Sequence, residues 1–86
     1  MNVDEAVAAV IPQVLADLAA LVAIPSVSAL PANAADVQRS ARWISDQLEA
    51  LGCPDVRIVA EGGQPAVIAR FPAPAGSPTV CLYAHH

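Results

Sequence analysis

The chain has 86 residues, of which 56% are hydrophobic and 3% are aromatic, and it carries a formal charge of -4. A composition this rich in Ala, Val, Leu and Ile is typical of a globular chain and argues against disorder. The chain has four arginines, no lysine and eight acidic residues. This balance of charge is unfavourable for contacts with phosphate groups, so we expect no nucleic-acid partner.

Apolar residues recur at three- and four-residue steps from the N-terminus, which predicts an amphipathic helix. The stripe consists of Val3, Val7, Val10, Ile11, Val14, Leu15, Leu18, Leu21 and Val22. Pro12 lies within it, and we expect a kink there in preference to two separate helices. Pro12, Gln13 and Asp17 interrupt the apolar run and no secretory signal pattern is present, so we predict a soluble cytoplasmic protein without a membrane span.

A second helix is predicted between Asn33, a candidate N-cap, and Gly52, a candidate left-handed C-terminal residue. Its apolar stripe has a 4-3-4-3 spacing and consists of Val37, Ala41, Ile44, Leu48 and Leu51. The opposite face carries Arg39, Arg42, Asp46 and Glu49, which we expect to be solvated. Trp43 is interpreted as a partly buried packing residue.

After Gly52 the pattern changes to period two, which predicts a β-hairpin with a turn at Gly62 and Gly63. Residues 79–84 form a nearly continuous apolar run, which predicts a third, interior strand. The order of two helices followed by three strands predicts an α/β fold, with residues 1–86 forming the N-terminal part of one larger domain. Cys53 and Cys81 fit no metal or disulfide pattern and are interpreted as reduced, structural thiols.

His85 and His86 directly follow the third predicted strand, at the end of a strand where functional side chains of α/β sheets collect. Histidine is the commonest metal ligand, because its neutral imidazole offers a lone pair. Neighbouring residues on an extended chain point to opposite sides, so at most one of the pair is expected to bind a given ion. A purification-tag remnant, or polar residues that merely end a strand, is the competing explanation.

Three segments, taken in order, resemble the start of the M20 metallopeptidase family. They are Ile24-Pro25-Ser26-Val27-Ser28 after an amphipathic helix, Leu48-Glu49-Ala50-Leu51-Gly52 at a helix end, and Val80-Cys81-Leu82-Tyr83-Ala84-His85-His86. The family's strand typically ends Leu-Tyr-Gly-His-x-Asp. The resemblance therefore places His85 at the metal-ligand histidine, Ala84 at the usual glycine and His86 at the variable position, and it implies a following aspartate that orients the imidazole.

This resemblance implies a dipeptidase, carboxypeptidase or deacylase that cleaves small peptides or N-acyl amino acids with a metal-activated water, using two zinc ions or cobalt or manganese in their place. It implies a zinc-peptidase-like catalytic domain with a mixed sheet, and a homodimer in full-length form. His85 is the one metal ligand assigned, and no catalytic residue is assigned. Because a catalytic zinc ordinarily needs three protein ligands, we expect these 86 residues alone to be inactive.

None of the carboxylates matches a ligand position of the family, and Ser26 and Ser28 lack the surroundings of a nucleophile elbow. Two alternatives from other functional classes stay open. The chain could be a noncatalytic interaction module that pairs with a partner through an exposed strand. It could also belong to a nonmetal α/β hydrolase in which His85 ends a strand by accident.

Overall fold

The computed structural model describes residues 1–86. In chain order its elements are α1 (Val3–Val22), a 3-10 turn (Pro31–Asn33), α2 (Ala34–Ala50), β1 (Asp55–Val59) and β2 (Ala66–Arg70). The two strands pair antiparallel in one two-stranded sheet. The prediction of a mixed α/β chain with two helices and a hairpin is therefore confirmed.

Helix α1 begins at a reciprocal cap formed by Asn2 and Glu5. The Glu5 backbone N–H donates to Asn2 Oδ1 at 2.8 Å, and Asn2 Nδ2 donates to Glu5 Oε1 at 3.3 Å. The first bond satisfies one backbone donor that the first helical turn otherwise leaves free, and the second joins the two side chains. The helix then continues through Pro12 as one element, so the alternative of two helices is wrong.

The apolar stripe of α1 faces solvent. None of its residues is buried, and Leu15 and Val22 are 59% and 72% exposed. By length and mean hydropathy, which is 1.7, α1 could cross a membrane, so the exclusion argued from Pro12, Gln13 and Asp17 was too strong. Core helices of soluble proteins and signal sequences meet the same criterion, and the helix is identified here only as a long, uncovered apolar surface.

The core lies between α2 and the hairpin. Its buried apolar residues are Val37, Ala41 and Cys53, and the polar Ser40 and Ser45 are buried beside them. Small side chains on the inner face of α2 let the helix approach both strands closely. The charged face carrying Arg39, Arg42, Asp46 and Glu49 is exposed and Trp43 is half-buried, as predicted.

At each end of α2 one residue differs from its predicted role. Asn33 is the N-cap residue, but its side chain makes no capping bond and instead donates to the Pro25 carbonyl oxygen at 3.0 Å and to Asp36 Oδ2 at 3.2 Å. Leu51 is 74% exposed because it lies past the last helical residue, so its assignment to the buried stripe was wrong.

Gly52 ends α2 in the left-handed conformation that the sequence predicts, with φ of 86°. Its N–H donates to the Glu49 carbonyl and the Cys53 N–H donates to the Leu48 carbonyl, at 2.9 and 3.2 Å. This pair of bonds is the Schellman arrangement, which satisfies the last carbonyls of a helix. It also directs the chain toward β1, and Cys53, which precedes that strand, contacts the Arg70 carbonyl oxygen of β2 through its Sγ at 3.2 Å.

The hairpin pairs Asp55 with Arg70 at one end and Val59 with Ala66 at the other. Its connection contains Gly62, whose φ is 77°. A positive φ is readily adopted by glycine because no Cβ meets the backbone. The Gly-Gly segment is therefore a turn, as predicted.

The predicted third strand is not formed. Residues 79–84 have no strand assignment, and Val80, Leu82 and Tyr83 are 77%, 93% and 75% exposed. A strand requires a neighbour to complete its backbone hydrogen bonds, and β2 pairs with β1 alone. The sheet has two strands because residues 79–84 have no ladder partner, although their apolar composition suits a strand.

The chain exposes more surface than a folded protein of its mass. Its accessible area is 6696 Å² at 8.8 kDa, about 1,900 Å² more than the roughly 4,800 Å² expected for a compact monomer of that mass. An excess of this size is larger than the roughly 800 Å² that one partner contributes to a standard stable interface. The uncovered stripe of α1 and the exposed residues 79–84 both contribute to it.

Replacement of Gly52 by alanine should lower the free energy of unfolding by about 1–2 kcal/mol, because an alanine Cβ is strained in the left-handed region. Gly63 is the matched control, since neither glycine has an atom within 4 Å of an added Cβ and only Gly52 has positive φ. Urea unfolding of both variants checks this, and equal effects of Gly52→Ala and Gly63→Ala would contradict the assignment.

Candidate functional site

The two histidines differ sharply in their surroundings. His86 is half-buried, whereas residues 71–85 are all exposed. Both ring nitrogens of His86 contact protein groups: Nδ1 lies 2.9 Å from Ser40 Oγ, and Nε2 lies 3.2 Å from the Pro65 carbonyl oxygen. His86 thus links the segment that contains it to α2 and to the residue before β2.

The Pro65 carbonyl oxygen determines which ring nitrogen of His86 carries a hydrogen. A carbonyl oxygen can only accept, so His86 Nε2 carries a hydrogen and donates it to Pro65. In the neutral ring, Nδ1 is then the acceptor and the Ser40 hydroxyl donates to it. Neither nitrogen of His86 offers a free lone pair in this arrangement.

Both partners of His86 belong to the packed part of the molecule. Ser40 is fully buried on the inner face of α2, next to the buried Ala41, and Pro65 is buried at the end of the hairpin turn. A buried hydroxyl without a partner is costly, and no buried side-chain polar atom in the chain lacks one. His86 supplies the side-chain partner that Ser40 requires.

His85 has a different environment. Its ring contacts that of Tyr83 edge to face, with centroids 5.1 Å apart and an interplanar angle of 66°. The imidazole of His85 is exposed and makes no hydrogen bond, so its nitrogens remain available to a ligand.

Beside the histidines lies a groove with a volume of about 450 Å³. It separates the start of β2 from residues 81–86, and its lining includes Ser28 and Gln64 as well as both histidines. Gln64 Nε2 donates to the Ser28 carbonyl oxygen at 2.9 Å, which holds the loop after α1 against the hairpin turn. The Ile-Pro-Ser-Val-Ser loop and the Tyr-Ala-His-His segment, far apart in sequence, therefore meet at this groove.

The chain alone does not assemble a metal centre. No group of three or more His, Cys, Asp or Glu side chains in residues 1–86 could hold a metal ion. The imidazole of His85 fits a zinc ion as one ligand, because it is a neutral nitrogen donor on an open surface. The remaining ligands of a catalytic site would have to come from other residues.

Two further groups considered from the sequence are now placed. Ser26 is half-buried and Ser28 is exposed, and neither hydroxyl contacts a histidine, so they do not form a nucleophile and base pair. Both cysteines are free thiols, but only Cys53 is buried. Cys81 is exposed and lines the groove, so its interpretation as a structural thiol was wrong.

The roles of Ser40 and Pro65 were not predicted from the sequence. A serine on the apolar stripe of a helix, between Val37 and Ala41, was the available signal, since a buried hydroxyl requires a partner. The identity of that partner depends on contacts 46 residues away, which no local pattern encodes.

Diethyl pyrocarbonate, which acylates an accessible imidazole nitrogen, should modify His85 faster than His86, because both nitrogens of His86 are hydrogen-bonded. Ser40→Ala removes the partner of Nδ1 and should accelerate modification of His86 while leaving the rate at His85 unchanged. Mass spectrometry of the peptide that contains both residues measures the two rates. Equal rates at His85 and His86 in the native chain would contradict the arrangement.

Comparison with family models, with curated proteins and with solved structures finds no match to this chain. The function proposed below therefore depends on the residues of the chain and on their geometry.

Proposed function

We propose that residues 1–86 form the N-terminal part of the catalytic domain of a metal-dependent hydrolase, similar to the M20 metallopeptidases, in which His85 is one metal ligand. The proposed reaction is hydrolysis of a peptide or amide bond in a small peptide or N-acyl amino acid. The observation that carries the proposal is that His85 and His86 have different environments. His86, at the variable position of the family motif, is held by protein groups on both nitrogens, whereas His85, at the ligand position, is free.

The groove gives independent support. The two segments that carry the most specific part of the resemblance, residues 24–28 and 83–86, are separated by more than 50 residues and still border one groove through Ser28 and His85. A chance similarity of two short motifs gives no reason for them to be close in space. Their proximity is what a shared site requires.

The uncovered surface supports a larger domain. The α1 stripe and residues 79–84 expose apolar side chains that a bigger core or sheet would bury. In that domain residues 79–84 would become the third strand of a mixed sheet, paired on edges that are free here. In this proposal α1 is a core helix of a soluble, cytoplasmic enzyme.

Zinc, or cobalt or manganese in its place, would supply a Lewis acid and an activated water at the substrate carbonyl. His85 would hold one ion through a ring nitrogen, with Tyr83 packed against the ring. No further step follows from this chain, since it offers a single imidazole donor and no accompanying carboxylate ligand. A homodimer is part of the same proposal only through the family resemblance.

A second candidate function is a noncatalytic module that binds a partner by strand pairing. It is favoured by the free edge of β2 and by the exposed apolar residues 80–83, because an uncovered strand edge recruits other chains. We place it second because it gives no role to the different environments of His85 and His86. A nonmetal hydrolase has less support still, because the serine that is hydrogen-bonded to a histidine, Ser40, is fully buried and cannot reach a substrate.

The reading frame that contains these residues provides the test. We expect an aspartate codon directly after His86, and we expect the encoded protein to bind zinc and hydrolyse dipeptides. His85→Ala should lower the activity by more than about 100-fold, because loss of outer-shell groups alone costs about 10–100-fold. Metal analysis and dipeptidase assays measure both effects.

His86→Gln is the matched control and should retain the metal, because a carboxamide can also accept from Ser40 and donate to Pro65. Residues 1–86 with added zinc should show no turnover. A stop codon directly after His86, with a folded and monodisperse product, would favour the interaction module. Metal content unaffected by His85→Ala would contradict the proposed ligand.

A further inference from the structure

We propose that His86 is a positioning residue, which fixes residues 82–86 on the packed core and thereby holds the His85 imidazole at the groove. The inference deepens the proposed function and rests on it for the role of His85. The placement of residues 82–86 by His86 does not require a bound metal. Nothing in the family motif assigns a role to this variable position.

The burial pattern identifies His86 as the attachment point. All of residues 71–85 are exposed, and His86 is the first half-buried residue after Ala69. Residues 79–84 have no ladder bonds to oppose the conformational entropy that is lost when a segment is ordered. The two bonds of His86 are the only hydrogen bonds that join residues 71–86 to the rest of the chain, so we attribute the placement of residues 82–86 to them.

The position of His85 is limited by that of His86. Because His85 directly precedes His86 in the chain, holding His86 against Ser40 and Pro65 restricts where the His85 ring can lie, and both rings border the groove. Tyr83 lies on the same side as His85, and its ring limits the positions that the imidazole can adopt. Ser40 and Pro65 thus act on His85 through His86, without touching it.

The matched pair of variants is His86→Ala and His86→Gln. Alanine removes both hydrogen bonds. Glutamine can retain both, because the oxygen and nitrogen of its carboxamide are spaced much as the two ring nitrogens are, with the oxygen accepting from Ser40 and the nitrogen donating to Pro65. Ser40→Ala removes one bond from the opposite side and leaves both histidines intact.

NMR on the 86-residue chain measures two quantities. They are the backbone order parameters of residues 82–86 and the nuclear Overhauser contact between the rings of Tyr83 and His85. In the native chain and in His86→Gln we expect the ring contact to be present and the order parameters to be about 0.8. In His86→Ala we expect loss of the ring contact and order parameters below about 0.6, with the chemical shifts of β1 unchanged. An ordered segment with an intact ring contact in His86→Ala would overturn the proposal, as would a disordered segment in the native chain.

Addition of zinc to the same samples separates this inference from the proposed function. A single donor gains no affinity from being held still, so the His85 ring signals should respond to zinc equally in the native chain and in both His86 variants. No zinc response at His85 in the native chain would contradict its role as a ligand, while the order parameters would still decide the positioning role of His86. His85→Ala identifies which ring signals report the binding.

Discussion

The link from Ser40 through His86 to Pro65 is the interaction on which the arrangement of the site depends. It joins a fully buried hydroxyl of α2 to a buried turn residue before β2, through a half-buried histidine that follows the wholly exposed residues 71–85. Hydrogen bonds of this kind contribute about 1 kcal/mol each, and an unpaired buried partner costs more. The division of roles between His85 and His86 follows from it, because an engaged ring cannot also bind a ligand.

The elements that the sequence predicts well are those with local causes. The end of helix α2 is predictable from Gly52, because the left-handed position and its two hydrogen bonds involve nearby residues of the chain. The hairpin is equally local, since period two and a Gly-Gly turn already specify which strands pair and where the chain reverses. The assignment of His85 as a metal ligand came from the family motif and stays a prediction.

Features that need distant partners could not be predicted in the same way. Residues 79–84 have the composition of an interior strand, but strand formation requires a ladder partner that residues 1–86 do not provide. The periodicity of α1 predicts a helix correctly and says nothing about what covers its apolar stripe, which is uncovered here. Ser40 was hidden for the same reason, because its partner lies 46 residues further along the chain.

The arrangement of the site therefore depends most on whether Ser40 and His86 interact in solution. A double-mutant cycle tests this directly, using the free energies of unfolding of the native chain, Ser40→Ala, His86→Ala and the double variant. We expect a coupling energy of about 1 kcal/mol, because either single change breaks the same hydrogen bond. Additive effects of the two substitutions would contradict the account.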